Sequence, residues 1–337
     1  MLRNIFYFIL AAALGLFSAA PVQAQSTALV DAAKKEGGKV VIYGSLEGDT
    51  FEAVAKAFHE QTGLSAEYWR ASATKVMDRA LTEYRSGKPL FDIILTNDTP
   101  MRIIEKNGIF AKYDSPSAKE FPQSAIDPQL GPRYRNVIIG VIYNKDLLPA
   151  ARAPKSLEDL LKPQYQGKIV MPDPTEHTTT AQWLASLYKI MGKEQASDFT
   201  KKLAAAHPIL VQSLLPAAER VTTGETPIAV TYIKYAYIFG QKGAPLDYVR
   251  MDKYLGEGHY VDLSNKAPHP SAGKAFIDFF LGQKSMQTMA KMGEFVNRKG
   301  VYPPLPGADK IQFVALDSFD KSQFQALDKE YAQLFHR

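Results

Sequence analysis

The sequence predicts an α/β protein built as two lobes joined by two crossing strands. Three observations lead there. Strand and helix signals alternate three times between residues 39 and 106, the pattern of a mostly parallel sheet with helices on both faces. A stretch rich in Pro and Ser, Tyr113 to Tyr134, then interrupts the alternation before strands resume. The 337-residue length also exceeds one ordinary domain, even once a leader is removed.

The leader is read from residues 1–24. Arg3 supplies a positive n-region, Ile5 to Phe17 an apolar h-region, and Val22-Gln23-Ala24 a small-residue cleavage site. The expectation is a cleaved signal peptide and an exported mature chain. There is no cysteine, so disulfides and thiolate metal sites are excluded. The formal charge is +5, from 40 Lys and Arg against 35 Asp and Glu, and it is scattered. No basic cluster with interleaved aromatics marks a nucleic-acid face, so no nucleic-acid partner is expected.

In chain order, Lys39 to Tyr43 reads as a strand. Asp49 follows as an N-cap, with Glu52 completing a capping box and Phe51, Val54, Ala55 and Phe58 as the buried helix face. Gly63 ends that helix. Ser65 to Trp69 is the second strand, before a helix with Met77, Ala80, Leu81 and Tyr84 inward and Gly87 as its stop. Phe91 to Leu95 is the third, and Pro100 opens its helix. Val137 to Tyr143 is the crossing into the second lobe. Ser156 to Leu161 is a short helix, Lys168 to Met171 a strand, and Thr179 with Gln182 a capping box for a helix burying Leu184, Leu187, Tyr188 and Met191. Ile209 to Val211 and Ile228 to Thr231 are strands, with a short helix from Pro216 to Val221 between them. Tyr260 to Leu263 is the return crossing. The closing helix turns Ala275, Phe276, Phe279 and Phe280 inward, and Met286, Met289 and Met292 read as core.

Four strand-to-helix turns carry the polar residues: Gly44 to Glu47, Thr96 to Thr99, Thr175 to Thr180, and Tyr232 to Tyr235. In open α/β sheets ligands sit beyond the strands' C-terminal ends, where helix N-termini present free N–H groups. Ser45, Thr178 and Thr179 have hydroxyls suited to an anion or a sugar, though ordinary capping uses the same residues. Enzyme signatures are missing. Gly44-Ser45-Leu46-Glu47 lacks the spacing of a nucleophile elbow, and Gly256-Glu257-Gly258 lacks the third glycine of a dinucleotide fingerprint. The histidines show no zinc spacing. A hydrolase using Ser45 and His177 is a third reading that nothing in the pattern selects. No enzyme, no resident cofactor and no metal are expected.

Several stretches, in this order, carry a resemblance. They are Tyr68-Trp69-Arg70-Ala71-Ser72-Ala73, Phe91-Asp92-Ile93-Ile94-Leu95-Thr96-Asn97 and Val141-Ile142-Tyr143-Asn144, then Leu157 to Leu161 with Gly167-Lys168-Ile169. Gly224-Glu225-Thr226-Pro227-Ile228 and Ala267-Pro268-His269-Pro270-Ser271-Ala272-Gly273-Lys274-Ala275-Phe276 complete the set. The chain resembles periplasmic solute-binding proteins of ABC importers, in the iron-type branch of extracellular solute-binding family 1. The resemblance implies a type II periplasmic binding fold with two Rossmann-like α/β lobes and the ligand in the interlobe cleft. It implies residues 25–136 and 264–337 as lobe I, 137–263 as lobe II, hinge closure, a periplasmic monomer, and delivery to an inner-membrane permease.

Ferric-binding relatives place two adjacent tyrosines after the strand equivalent to Ile228 to Thr231. Here that pair aligns with Tyr235-Ala236, which keeps one phenol and loses the other. Ferric iron wants several anionic oxygens, and Lys234 stands beside the site. The preferred ligand is therefore a small organic or phosphorylated anion, with Lys234 or Arg70 as counter-charge. Ferric ion, on Tyr235, Tyr232 and Glu47, is the alternative. The expected ligand-binding set is Ser45, Glu47, Arg70, Ser72, Thr96, Asn97, Asp98, His177, Thr178, Thr179, Ser213, Tyr232, Lys234 and Tyr235.

Overall fold

The computed structural model describes residues 20–336. The n-region and h-region of the leader lie outside them. The cleavage motif falls in the first turns of helix α1 (Ala20–Lys35).

Three strand–helix units follow. They are β1 (Lys39–Gly44) with α2 (Gly48–Thr62), β2 (Ser65–Arg70) with α3 (Ala73–Arg85), and β3 (Ile93–Asn97) with α4 (Asp98–Lys106). β1 lies between β2 and β3, parallel to both. Because strand side chains alternate, this sheet feeds two cores. Val40, Ile42, Ile93 and Leu95 pack with Phe51, Phe58, Phe276 and Phe280 on one face. Tyr43 and Ile94 pack with Val76, Leu81 and Ile104 on the other. Gly63 ends α2 in the left-handed conformation, φ 72°. The α2 cap differs from the sequence reading. Glu47, not Asp49, is the N-cap residue, and its side chain makes no capping bond.

After a small hairpin, β4 (Ile126–Asp127) and β5 (Gly131–Pro132), the chain crosses on β6 (Arg135–Asn144). The second lobe contains β7 (Ile169–Pro172), α5 (Thr178–Ser186), α6 (Tyr188–Met191), α7 (Lys193–Ala205), β8 (Ile209–Val211), α8 (Leu214–Thr222), β9 (Ile228–Tyr232), α9 (Lys234–Gly240) and β10 (Leu246–Tyr248). Its sheet also has two apolar faces. Val141, Tyr143, Ile169, Met171 and Val230 face Trp183 and Phe199, while Ile142, Val170 and Ala229 face Val221 and Ile233. His177 caps α5, its Nδ1 taking the Thr180 N–H at 3.2 Å, in place of the expected Thr179 capping box. The buried face of α5 is Ala181, Trp183 and Leu184, and Tyr188 is exposed.

The return is longer than the sequence suggests. β11 (Lys253–Leu263) pairs antiparallel with β6 at Gly256 to His259, then with β3 at His259 to Leu263. Gly256 permits this crossing, since a Cβ there would lie 2.3 Å from the Val137 carbonyl oxygen. α10 (Pro270–Phe280), α11 (Gln283–Lys291) and β12 (Phe295–Val296) complete the first lobe. Met286 and Met289 are core as expected, and Met292 instead ends α11.

The assignment of residues 264–337 to lobe I fails at their end. β13 (Gln312–Ala315) pairs with the first residues of β11, and α12 (Lys321–Phe335) packs on α5 and α7. Leu327, Tyr331, Leu334 and Phe335 join the apolar face that holds Trp183, so the last helix belongs with the second lobe. Among the described residues no helix is long and apolar enough to cross a membrane.

Candidate ligand-binding cleft

The four polar turns named from the sequence lie where β1, β3, β7 and β9 end, and side-chain contacts tie them together across the lobes. From β1, Glu47 reaches Lys234 at the start of α9. Glu257, on the crossing strand β11, accepts from Asn97 Nδ2 at 3.0 Å and from Thr179 Oγ1 at 2.8 Å. Asn97 and Thr179 come from different lobes, so the Glu257 carboxylate spans the cleft floor.

The densest electrostatics surround Arg135, the first residue of β6. Its Nη1 lies 2.8 Å from Glu47 Oε2 and 2.7 Å from Glu294 Oε2. Lys234 Nζ lies 2.6 Å from Glu47 Oε1 and 3.0 Å from Glu294 Oε1. Both carboxylates thus bridge the same two cations. The exposures are unequal: Arg135 1%, Glu294 2% and Lys234 4%, against 43% for the Glu47 side chain. Burial works to raise the Glu47 carboxyl, but Arg135 and then Lys234 outweigh it and hold the group well below the usual range. Burial likewise opposes the charge on Lys234, and Glu294 and Glu47 overcome it, leaving the ammonium more basic than usual. Such a cluster is stable only because each ion is paired.

Next to Arg135 the buried His259 Nδ1 has no hydrogen-bond partner among the described residues. His259 stands opposite Arg135 in the β11–β6 register. Burial, then Arg135, push its pKa well down, so the ring is neutral.

A cavity of about 240 Å³ is lined by Asn97, Asp98, Thr99, Arg133, Glu257 and Asp317 among others, and none of Arg135, Glu47, Glu294 and Lys234 is in its lining. Asp98 is engaged by Arg102 at 2.9 Å, and Arg102 also holds Asp127 at 2.7 Å. Arg133 is oriented by Asn136 Oδ1 at 2.8 Å and stacks over Phe313, 4.5 Å from its ring centre.

Of the other expected residues, Ser45 Oγ and Thr96 Oγ1 bond each other at 2.8 Å, and Thr96 is fully buried. Thr178 is exposed at the start of α5. The Tyr232 and Tyr235 rings lie 5.9 Å apart, and burial raises both phenol pKa values. Arg70 and Ser72 are exposed at the end of β2, where Ser72 caps α3. Ser213 stands at the N-cap position of α8 without a capping bond. Lys234 is not the open counter-charge expected of it, because two carboxylates already hold it. Ser45 and His177 do not pair: Ser45 bonds Thr96, and His177 bonds Thr180. Among the described residues no three His, Asp or Glu side chains gather as metal ligands.

Arg135, Glu294, Glu257, His259 and Arg133 were not anticipated. The one signal for Glu257 was a carboxylate between two glycines in an extended segment, and Arg135 sat at the edge of an otherwise apolar strand.

Solved structures share this architecture. AfuA from Actinobacillus pleuropneumoniae, determined with exogenous fructose-6-phosphate, superposes with a TM-score of 0.66 at 21% identity over 89% of this chain and 99% of its own. Iron-bound HitA from Pseudomonas aeruginosa gives 0.68 at 19% identity over 87% and 99%. At these identities the likeness shows the fold alone, the type II periplasmic binding fold. In sequence, the Fe(3+)-binding periplasmic protein of Serratia marcescens is 22% identical over 78% of this chain and 79% of its own. The profile of the bacterial extracellular solute-binding protein family matches residues 88–322, well over half of the sequence. The chain therefore belongs to the bacterial extracellular solute-binding proteins.

Proposed function

We propose that this protein is the periplasmic solute-binding component of an ABC importer, taking a small organic or phosphorylated anion between its lobes and passing it to an inner-membrane permease. It binds and releases its solute unchanged. The observation that carries the solute class is the pair Arg135 and Lys234, two buried cations whose charge Glu47 and Glu294 balance in this structure, so that an anionic solute would take the place of a carboxylate. A guanidinium beside an ammonium matches the oxygens of a phosphate or carboxylate, through charge-assisted hydrogen bonds. The fructose-6-phosphate in the AfuA structure belongs to the same class of solute.

Ferric ion is the second reading, favoured by the Tyr232–Tyr235 ring pair and by the names of HitA and the Serratia marcescens protein. Against it, a ferric ion on Glu47 would sit beside Arg135 and Lys234 and be repelled by both. The two phenols are also harder to ionise than free tyrosine.

The test is thermal unfolding of the mature protein with inorganic phosphate, sugar phosphates, carboxylates and ferric citrate, each with and without a chelator. A ligand at ~100 times its Kd adds ~2.7 kcal/mol, a shift of a few degrees. The expected result is stabilisation by an anion that survives the chelator. Stabilisation by ferric salts alone, with a visible tyrosinate–iron band, would overturn the anion reading.

A further inference from the structure

We infer that Glu47 is a built-in counter-anion: its carboxylate holds, between Lys234 Nζ and Arg135 Nη1, the place taken by the anionic group of the solute, and it leaves when the solute binds. The inference rests on the anion reading above and names the residue that sets its selectivity.

The two carboxylates of the cluster bridge the same cations but are not equivalent. Glu294 is 2% exposed and walled in. If it left its partners it would strand a charge in the interior, at large cost. Glu47 is the more accessible of the two, 43% exposed against 2%, so turning into water costs it less than it would cost Glu294. Its backbone does not depend on the contact either, since its side chain does not cap α2. Glu47 is therefore the replaceable member.

It is also an incomplete partner. Each Glu47 oxygen serves one cation, Oε1 with Lys234 and Oε2 with Arg135, and Glu294 is used the same way. A phosphate brings more acceptor oxygens than a carboxylate, so one in that place serves Arg135 Nη1 and Lys234 Nζ with oxygens to spare.

Selectivity follows from charge. With Glu47 in place the four side chains sum to zero, and without it they carry one net positive charge. An incoming anion must outcompete a tethered carboxylate at high effective concentration. A simple monocarboxylate offers nothing that Glu47 lacks. A dianion does, so Glu47 selects phosphorylated or multiply charged solutes over monoanions.

The experiment is calorimetric titration of the mature wild type, Glu47→Gln and Glu47→Asp, with inorganic phosphate and, separately, acetate. Glu47→Gln should bind phosphate at least ~10-fold more tightly than wild type, about 1.4 kcal/mol, and should gain measurable acetate binding. Glu47→Asp, which keeps the charge on a shorter arm, should fall between and carries the measurement if Glu47→Gln does not fold. Equal or weaker phosphate binding by the variants overturns the inference, as does no phosphate binding by any of the three proteins. If a wild type stabilised by an organic anion is accompanied by variants without gain, the role of Glu47 falls and the anion reading stands. Stabilisation of wild type by ferric salts alone removes both.

Discussion

Lys234 Nζ and Glu294 Oε1 meet at 3.0 Å with almost no exposure, Lys234 from the second lobe and Glu294 from the turn before β12 in the first. An ion pair this buried is kept by its partners rather than by the solvent. Lys234→Met should destabilise the protein by about 3–5 kcal/mol, because it leaves a buried carboxylate short of a partner. Glu294→Gln should do the same to the cations. The double variant should cost clearly less than the two single costs added, with a coupling of about 1–3 kcal/mol in denaturant unfolding. Additive costs would mean that the two side chains act independently.

The crossing of β6 and β11 depends on a missing side chain. A Cβ on Gly256 would meet backbone, the Val137 carbonyl oxygen at 2.3 Å, which cannot rotate away. Gly256→Ala should cost at least ~1–3 kcal/mol, the usual penalty of overpacking. Gly48→Ala is the control. A Cβ on Gly48 would have nothing within 4 Å, so its effect should be within ~0.5 kcal/mol.

His177 makes stability fall with acid. Burial depresses its pKa to about 4 from the ordinary 6.5, and its Nδ1 must stay unprotonated to accept the Thr180 N–H. Between those values the unfolded chain binds the proton more readily. The contribution is therefore complete above pH ~6.5 and is lost as pH falls toward 4, by up to roughly 3 kcal/mol. His177→Asn, which keeps a capping side chain, should match wild type near pH 7 and lose this slope. An unchanged slope would mean that another group produces it.

Asp262 acts in the opposite direction. Burial, then the charges of Asp127 and Glu105, raise its pKa well above the usual carboxylate range, and its Oδ2 has no partner among the described residues. The folded state holds this proton more tightly than the unfolded one, so stability is full below pH ~3.8 and declines as pH rises toward the folded value. Asp262→Asn should raise the unfolding midpoint at pH 8 and lose that advantage near pH 4. A constant difference across that range would show that Asp262 does not titrate in it.

Periodicity and turn chemistry, both local properties, determined the alternating strands and helices, the two-faced sheets and the turns that end at the cleft. Val40 and Ile42 against Tyr43, or the spacing of Phe51 and Phe58, show which face is buried without reference to the rest of the chain. Partnership is not local. Lys234 reads as an available cation until the fold brings Glu294 and Glu47 to it from 60 and 187 residues away. The same holds for α12, whose apolar face is visible in the sequence although the core it joins is not. Arg135, Glu257 and His259 lie on extended strands, where alternation reports a face but not what crosses it. Their place in the cleft was decided only by the antiparallel register of β6 and β11, which is set by packing between segments more than 100 residues apart.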